Sequence, residues 1–512
     1  MTATFGELTM APTVRTKQGL TEGFNDGAIF KFLGVPYAEP PVGERRWRSP
    51  VPMTGWAGVR EAQDFGPICP QTAGAVFKPR AKTESEDCLY LNVWTRSLDT
   101  EARQPVMVWI HGGGYLGGGG CEDGTDGSQL AALGVTVVSF NYRLGAFGYL
   151  AHPKLGSNFG LQDQIAALQW VRENIEHFGG DPACVTVFGQ SAGGHAVRML
   201  LSSPTASGLF QRAILQSGGG ERFAFDTSKP NEKTYAASEA LIAHVGGGGP
   251  EELRRLPTDI IKEASHLFNG VIPRPRRVHT PANLAWMPVN DGVILPVDSD
   301  SRPLHVVPLL LGFTRNEARY FIRPGMLPYN RLILRALTNA LAGPQAKAVL
   351  PQLAARGASI YDRCDHVYTD AVFAEPLLAT AERLRASAHR FYLYRFDRVS
   401  PGAAASNFLA QHTAELRYLF GTLTADGYDE TDRRISAAMQ AQWVAFARDS
   451  VPADDAVWRP YGEDERIAII GDDFSRGRIE DDPVVPLLHR LRTLKPSSPK
   501  GLLSLFRRLW PA

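Results

Sequence analysis

The chain has 512 residues, of which 44% are hydrophobic and 21% charged, and its mean hydropathy is −0.17. Its 54 basic and 53 acidic residues nearly cancel, so the sequence lacks the basic excess of nucleic-acid-binding proteins, and we expect no nucleic-acid partner. The first twelve residues contain neither the basic nor the apolar stretch of a secretory signal, which predicts a cytoplasmic protein.

The first informative element is an apolar run that leads into a glycine-rich segment, Pro105-Val-Met-Val-Trp-Ile-His-Gly-Gly-Gly-Tyr115. The apolar part predicts a buried strand, and the glycines after it leave successive backbone amides free to point at one spot. The spacing Gly112-x-Gly114-x-x-Gly117 also matches a dinucleotide-binding fingerprint. Two features count against that alternative: the glycines continue to Gly120 instead of opening a helix, and the next predicted strand, 135–140, is followed by asparagine rather than an acid.

The second element is the segment Val185-Thr-Val-Phe-Gly-Gln-Ser-Ala-Gly-Gly194. A β-branched strand runs into Gly-x-Ser-x-Gly, and residues 192–201 predict a helix, which is the context of a nucleophile elbow. A hydroxyl is a weak nucleophile, so it has to stand on a sharp turn within reach of a base. We predict that Ser191 is the nucleophile; the alternative is an ordinary loop, because glycine makes up 50 of the 512 residues.

A serine that attacks an acyl carbon generates negative charge on the carbonyl oxygen, and preorganised backbone amides stabilise that charge. The glycine-rich segment after the first strand and the start of the helix after Ser191 supply such amides. We predict an oxyanion hole formed by the amides of Gly113, Gly114 and Ala192.

These two elements, together with several others, resemble the type-B carboxylesterases, the family that includes the cholinesterases. The resemblance extends over nearly the whole chain to about residue 490, and it favours the bacterial branch of para-nitrobenzyl-esterase-like members. It implies an α/β-hydrolase fold, in which a large, mostly parallel sheet is flanked by helices and carries cap insertions. The further matching segments are 32–43, 85–94, 141–150, 160–171 and 178–182.

The α/β-hydrolase fold carries its catalytic residues in the order serine, acid, histidine, with each partner just after a strand. The apolar strand 308–314 is followed by Glu317, in a segment that resembles the family's Gly-x-x-x-x-Glu, so we predict Glu317 as the acid that orients the base. The alternative for Glu317 is a surface carboxylate at the start of a helix. His412 opens a segment that resembles the family's His-x-x-Glu-Leu and follows the strand 391–396, so we predict it as the base.

The other three histidines after the acid, His366, His389 and His489, are predicted to be structural or solvated. The predicted function is therefore hydrolysis of small-molecule carboxylic esters by a serine carboxylesterase. The chain has no metal-ligand spacing, and we expect neither a metal nor another cofactor. The alternative is a catalytically silent binding protein, since some members of the family are adhesion molecules.

The sequence departs from the family where the substrate would bind. Many relatives have a glutamate directly before the nucleophile, whereas this chain has Gln190, which removes a negative charge from the site. The segment between Cys69 and Cys88 contains no tryptophan, although cholinesterases carry one there to stack on a quaternary ammonium. Choline esters are therefore not the expected substrates. Candidate pocket residues are Gln190, Tyr115 and Leu116, together with Phe188; packing in the core is the alternative for the last three.

Resemblance to the family also assigns structural roles. It pairs Arg46 with Glu86 and Arg143 with Asp163 as buried salt bridges of the scaffold. It places Cys69 and Cys88 where the family has its first disulfide, whereas in a reducing cytosol all five cysteines would be free thiols.

Strand-like segments extend as far as residues 466–471, so we predict one α/β-hydrolase domain over 1–490, with insertions at about 218–303 and 323–385. The remaining tail, 491–512, has the composition of a short basic amphipathic helix. Weak contact with a membrane surface through 502–510 is one interpretation; packing on the body, a partner contact and a frayed end are the others. The protein is expected to be a monomer or a homodimer.

Overall fold

The computed structural model describes residues 11–72, 76–220, 230–269, 284–298, 303–325, 328–343, 346–355, 359–424, 426–454 and 456–493. The predicted tail helix at 502–510 lies outside these ranges, so its membrane contact stays a prediction, as does the oligomeric state. None of the helices in these ranges combines the length and apolar character needed to cross a lipid bilayer.

Most of the strands in the described ranges join one sheet of eleven, and the other three form a small sheet near the start of the chain. The small sheet consists of β1 (Thr13–Thr16), β2 (Gly19–Glu22) and β5 (Val59–Glu61). The strands of the large sheet are β3 (Phe24–Asn25), β4 (Phe30–Pro36), β6 (Tyr90–Thr95), β7 (Gln104–Ile110), β8 (Thr136–Phe140), β9 (Gly180–Gln190), β10 (Arg212–Gln216), β11 (Leu309–Thr314), β12 (Phe391–Phe396), β13 (Ile467–Ile470) and β14 (Phe474–Gly477).

The large sheet has the strand order β14-β13-β12-β11-β10-β9-β7-β8-β6-β4-β3. Every neighbouring pair from β8 to β13 is parallel, and the pairs outside that stretch are antiparallel. The sheet is thus mixed and mostly parallel, which is the α/β architecture that the sequence predicts. The six predicted strands at 105–110, 135–140, 185–190, 308–314, 391–396 and 466–471 correspond to β7, β8, β9, β11, β12 and β13.

Both faces of the sheet are buried under hydrophobic clusters. Successive side chains of a strand point to opposite faces, so one strand contributes to both clusters. Along β7, Val106, Val108 and Ile110 belong to one hydrophobic cluster, whereas Met107 and Trp109 belong to another on the opposite face. The central strands therefore read as continuous apolar runs, which explains why their positions are visible in the sequence.

The helices of the described ranges contribute side chains to the hydrophobic clusters on both faces of the sheet. In chain order they are α1 (Ser128–Ala132), α2 (Gly145–Tyr149), α3 (Phe159–Asn174), α4 (Ala192–Ser202), α5 (Pro230–His244), α6 (Pro250–Arg255), α7 (Thr258–Leu267), α8 (Arg331–Ala342), α9 (Ala346–Ala355), α10 (Ile360–Thr369), α11 (Glu375–Arg385), α12 (Pro401–Ala405), α13 (Leu416–Leu419), α14 (Glu430–Asp449), α15 (Tyr461–Asp464) and α16 (Val485–Thr493). A short π-helix, Asp370–Ala374, joins α10 to α11.

The connections after the central strands bring distant residues to one edge. Strands β9, β10, β11 and β12 are parallel neighbours, so the segments that follow them leave the sheet side by side. The turn into α4 follows β9, and a short 3-10 helix, Glu317–Tyr320, follows β11. Helices α5 to α7 lie between β10 and β11, and α8 to α11 between β11 and β12, within the two predicted insertions.

Candidate active site

Ser191 stands alone between a strand and a helix. Strand β9 ends at Gln190, helix α4 begins at Ala192, and Ser191 has a φ of +58°. That left-handed backbone is unfavourable for a residue with a side chain, and such strain is typical of functional turns. Close packing requires the glycine on the helix side, because a Cβ on Gly193 would lie 2.0 Å from the carbonyl oxygen of Ile110. The sequence prediction of a sharp strand-to-helix turn at Ser191 is confirmed.

The glycine-rich segment after β7 lies directly against this turn. A Cβ on Gly112 would lie 2.8 Å from the carbonyl oxygen of Gln190 and 3.2 Å from Cβ of Ser191, so a residue with a side chain does not fit there without a shift of the backbone. Gly113 and Gly114 have φ values of +99° and +65°. Within the described ranges, the structure records no acceptor for the amides of Gly113, Gly114 or Ala192. Three free amides thus lie on the two chain segments that meet at the serine.

Glu317 and His412 are joined by a short hydrogen bond. Oε2 of Glu317 lies 2.5 Å from Nδ1 of His412, and Oε1 accepts a hydrogen bond of 2.8 Å from the amide of Thr314. The Glu317 side chain is fully buried and His412 is 2% exposed. The loop that carries His412 runs parallel to the end of β11, through the amide of Asn316 and the carbonyl of Ala410. Glu317 is therefore a buried partner of His412 and not a surface carboxylate.

The other ring nitrogen of His412 faces the residue before the serine. Nε2 of Gln190 lies 3.2 Å from Nε2 of His412. No hydrogen bond in the described part of the chain joins Oγ of Ser191 to His412. Such contacts are often long in structures without substrate. The neutral amide of Gln190, the residue before Ser191, therefore contacts the ring nitrogen of His412 that Glu317 does not occupy.

Aromatic rings surround the imidazole of His412. The ring centres of Phe321, Phe373 and Tyr320 lie 5.0, 5.3 and 5.7 Å from that of His412. Such a shell excludes water and strengthens the electrostatic interaction of His412 with Glu317.

A small cavity of about 10 Å³ lies beside this shell, lined in part by Gly218–Gly220, Phe373 and Leu377. This volume is about that of one water-sized probe. A Cβ on Gly218 would lie 2.1 Å from the carbonyl oxygen of Ser191, so the cavity adjoins the turn that carries the serine. It therefore offers little room next to the nucleophile.

A second buried carboxyl group lies behind Glu317. Burial, and then the negative charge of Glu317, raise the pKa of Glu415 to about 8. Oε1 of Glu415 accepts a hydrogen bond of 3.2 Å from Nε2 of Gln216. The Glu415 side chain is thus a neutral acid near pH 7, which avoids two adjacent negative charges in the interior. Sequence reasoning assigned no role to Glu415, although it lies in the segment that identified His412.

An ion-pair network holds the segment of Glu317 in place. Nε of Arg319 lies 2.9 Å from Oδ2 of Asp365, which also accepts a hydrogen bond of 2.8 Å from Asn316. Arg319 also pairs with Asp362 at the start of α10. Arg319 and Asp365 are 2% and 0% exposed, so their charges are desolvated and need each other. Residues on both sides of Glu317 are therefore anchored to α10.

With this geometry established, the comparisons with known proteins decide the family. A family model described as the carboxylesterase family matches residues 10–479. The chain belongs to the carboxylesterase family. The enzyme is 38% identical to a para-nitrobenzyl esterase of Bacillus subtilis, over 92% of this chain and 96% of the relative. It is also 35% identical to a fumonisin B1 esterase of Sphingopyxis macrogoltabida, over 85% of this chain and 82% of that relative. Its identity to a phenmedipham hydrolase of Pseudarthrobacter oxydans is 34%, over 90% of this chain and 95% of that relative.

Solved structures give the same result. Two structures of a PNB esterase match the carboxylesterase with TM-scores of 0.77 and 0.80, at 32% and 31% sequence identity, and they cover 93% and 95% of this chain and 100% of their own. The α/β-hydrolase fold is thereby confirmed. The relatives are named as esterases or hydrolases, so the enzyme is a carboxylic ester hydrolase, and these names give no support to the alternative of a silent binding protein.

The remaining pocket candidates of the carboxylesterase lie in the hydrophobic interior. Tyr115 is fully buried, and its hydroxyl contacts His195. Leu116 is 6% exposed, in the same cluster. Phe188 points to the opposite face of the sheet, where its ring lies 4.9 Å from that of Trp109. Contact of these three residues with a substrate therefore stays a prediction.

A larger open groove, of about 950 Å³, lies elsewhere on the carboxylesterase. Its lining includes Arg390, Tyr392 and Trp458. Arg390 directly precedes β12, so the groove is at the amino end of that strand, whereas Ser191 and Glu317 follow the carboxyl ends of β9 and β11. The groove is therefore separate from the candidate active site.

The two scaffold pairs of the carboxylesterase form as predicted. Arg46 and Glu86 approach to 2.5 Å, and Arg143 and Asp163 to 2.6 Å, with every side chain at most 7% exposed. In both pairs the arginine makes two hydrogen bonds to the carboxylate. These pairs lie outside the groups around Ser191 and hold loops to the body of the enzyme.

All five cysteines lie in described ranges as free thiols. A hydrogen bond with Cys69 and burial raise the pKa of Cys88 well above its usual range. The two thiols are thus neighbours without a disulfide, and the cytoplasmic location stays a prediction. No group of histidine, cysteine, aspartate and glutamate in the described part of the chain is arranged to hold a metal ion.

Proposed function

We propose that the enzyme cleaves carboxylic esters through an acyl-enzyme on Ser191, with His412 as the base and Glu317 as the acid that orients it. Oγ of Ser191 attacks the ester carbonyl carbon while its proton passes to Nε2 of His412. The amides of Gly113, Gly114 and Ala192 bind the oxyanion that forms. The C–O bond to the alcohol then breaks, and the alcohol leaves with the proton from His412.

Deacylation repeats these steps with water. His412 takes a proton from the water as the water oxygen attacks the acyl carbon, and it returns the proton to Oγ of Ser191 when the carboxylic acid leaves. Glu317 keeps the Nδ1 proton of the ring in place and stabilises the imidazolium in both halves of the reaction. The 2.5 Å contact between Oε2 of Glu317 and Nδ1 of His412 is the observation that carries this proposal.

The proposal requires one local rearrangement. Oγ of Ser191 has to replace the Gln190 amide as the partner of Nε2 of His412, since that nitrogen has one lone pair and accepts only one hydrogen bond. The two groups are on adjacent residues, and a change of side-chain rotamer at both is the rearrangement that the proposal requires.

For substrates, we propose uncharged esters with short acyl groups. Three features support this: Gln190 brings no charge, aromatic rings surround His412, and the cavity beside Gly218 has a volume of only about 10 Å³. The relatives are named for different compounds, namely para-nitrobenzyl esters, fumonisin B1 and phenmedipham, so the alcohol group is not carried over from them.

The test is hydrolysis of p-nitrophenyl acetate, butyrate and octanoate by the wild type and Ser191→Ala. We expect acetate and butyrate to turn over faster than octanoate, and Ser191→Ala to lose at least roughly 10³-fold in kcat. The matched control is Ser202→Ala, which removes a buried hydroxyl from the far end of the same helix. Full activity of Ser191→Ala would refute the proposed nucleophile.

A further inference from the structure

The proposed oxyanion donors stand on two separate segments of the chain. Gly113 and Gly114 lie in the loop after β7, whereas Ala192 begins α4 after β9. An oxyanion is stabilised only when donors converge on it at hydrogen-bond distance, and a displacement of about 1 Å costs roughly 10²-fold in rate. The distance between the two segments therefore has to be fixed by contacts between them.

One side-chain hydrogen bond spans these segments. The hydroxyl of Tyr115, the residue after Gly114, lies 2.7 Å from Nδ1 of His195. His195 is in the first turn of α4, and its amide donates to the carbonyl of Ser191 at 2.9 Å. The bond thus connects the residue next to two of the proposed donors with the helical turn that carries the third, Ala192.

The backbone of Tyr115 adopts a conformation that is unfavourable for a residue with a side chain. Its φ is +61°, a left-handed conformation that strains a residue other than glycine. The strain is offset by fixed contacts: the carbonyl of Tyr115 accepts a hydrogen bond of 2.7 Å from the amide of Gly145, and its ring lies 4.7 Å from that of Tyr149. The side chain is therefore held in one position, with its hydroxyl directed at the helix.

The protonation states of Tyr115 and His195 preserve the hydrogen bond between them at working pH. Burial raises the pKa of Tyr115 well above its usual range, so its hydroxyl stays a donor. Burial, and then the charge of Arg198, lower the pKa of His195 to about 3, so the ring stays neutral at working pH. Nδ1 then accepts from Tyr115, and the ring proton is on Nε2.

We propose that the hydrogen bond between Tyr115 and His195 fixes the spacing between the two halves of the oxyanion hole, which makes both side chains positioning residues for acyl transfer. This inference rests on the function proposed above. It gives Tyr115 a role that does not depend on contact with the substrate.

The test is a double-mutant cycle with Tyr115→Phe, His195→Leu and the double variant, assayed on p-nitrophenyl butyrate. Each single variant is expected to lose about 10-fold in kcat while KM stays within about twofold, because the hydroxyl is bonded to His195 and acts through the position of the helix. The double variant is expected to lose the same roughly 10-fold and not about 100-fold, since both changes remove one bond. His195→Gln keeps an acceptor for the hydroxyl and is expected to retain most of the activity.

A second measurement separates positioning from general damage to the fold. A trifluoromethyl ketone forms a tetrahedral adduct with the serine, and its oxyanion needs the same donors. Its affinity is expected to fall about 10-fold in Tyr115→Phe, in proportion to kcat/KM. The matched control is Tyr149→Phe, which removes a buried hydroxyl that has no hydrogen-bond partner among the described residues, from a ring in contact with Tyr115. That variant is expected to keep wild-type kinetics.

The results also separate this inference from the proposed function. If Ser191→Ala is inactive but Tyr115→Phe keeps wild-type kcat and inhibitor affinity, the positioning role is refuted and the catalytic proposal stands. A double variant about 100-fold below wild type would show independent effects and would also refute it. If Ser191→Ala is fully active, the proposed function itself fails.

Discussion

The buried carboxyl group of Glu415 makes the stability of the enzyme depend on pH in an unusual direction. Its pKa is about 8 in the folded protein, against an ordinary value of 4.5, because of burial and then the charge of Glu317. Between these pH values the folded chain keeps a proton that the unfolded chain releases. Raising the pH therefore favours unfolding over this window, and the trend levels off above about pH 8.

The magnitude follows from the shift. A pKa raised from 4.5 to about 8 corresponds to at most roughly 5 kcal/mol in the free energy of unfolding between the two ends of the window. Glu415→Gln removes the titration but keeps a neutral side chain of the same size that accepts the hydrogen bond from Gln216. The variant is therefore expected to gain stability relative to the wild type as the pH rises from about 4.5 to about 8.

The assay is unfolding by urea, followed by tryptophan fluorescence, for both proteins over this pH range. The informative quantity is the difference between variant and wild type at each pH, because other groups titrate equally in both. Glu430→Gln is the matched control, since Glu430 is 90% exposed and its variant is expected to show a constant difference. A difference between Glu415→Gln and wild type that does not change with pH would refute the assignment of Glu415 as a neutral buried acid.

Three further predictions concern activity. Glu317→Gln leaves His412 without its anionic partner and is expected to lower kcat on p-nitrophenyl butyrate by roughly 10³- to 10⁴-fold; a loss below about tenfold would contradict the role of Glu317. Gln190→Glu places a negative charge 3.2 Å from Nε2 of His412 and is expected to move the acidic limb of the kcat/KM profile up by about one pH unit. An unmoved profile would show that the two side chains do not interact. Leu377→Ala enlarges the cavity beside Gly218 and is expected to raise the ratio of octanoate to acetate turnover, while an unchanged ratio would place the acyl group elsewhere.

Much of the fold could be predicted because its signals are local. A strand that is buried on both faces gives a continuous apolar run, as in β7 and β11, and a nucleophile turn gives Gly-x-Ser-x-Gly between such a strand and a helix. The pairing of Glu317 with His412 required more, because 95 residues separate them. Resemblance to the family supplied it, and the structure brings the two side chains together.

The polar environment of the site could not be predicted in the same way. Nothing in the sequence marks Glu415 or Asp365 as buried, and only the packing of distant segments shows that one is a neutral acid and the other pairs with Arg319. The bond between Tyr115 and His195 likewise joins residues 80 positions apart, and no periodic pattern links them. Contacts of this kind depend on the tertiary fold.

The central claim, that Ser191 is the nucleophile, is tested most directly by labelling the purified enzyme with a fluorophosphonate and locating the label by peptide mass spectrometry. The account predicts one labelled residue, Ser191, with loss of esterase activity in proportion to labelling and no label on Ser191→Ala. A label on another residue, or an active wild type that takes up no label, would contradict it.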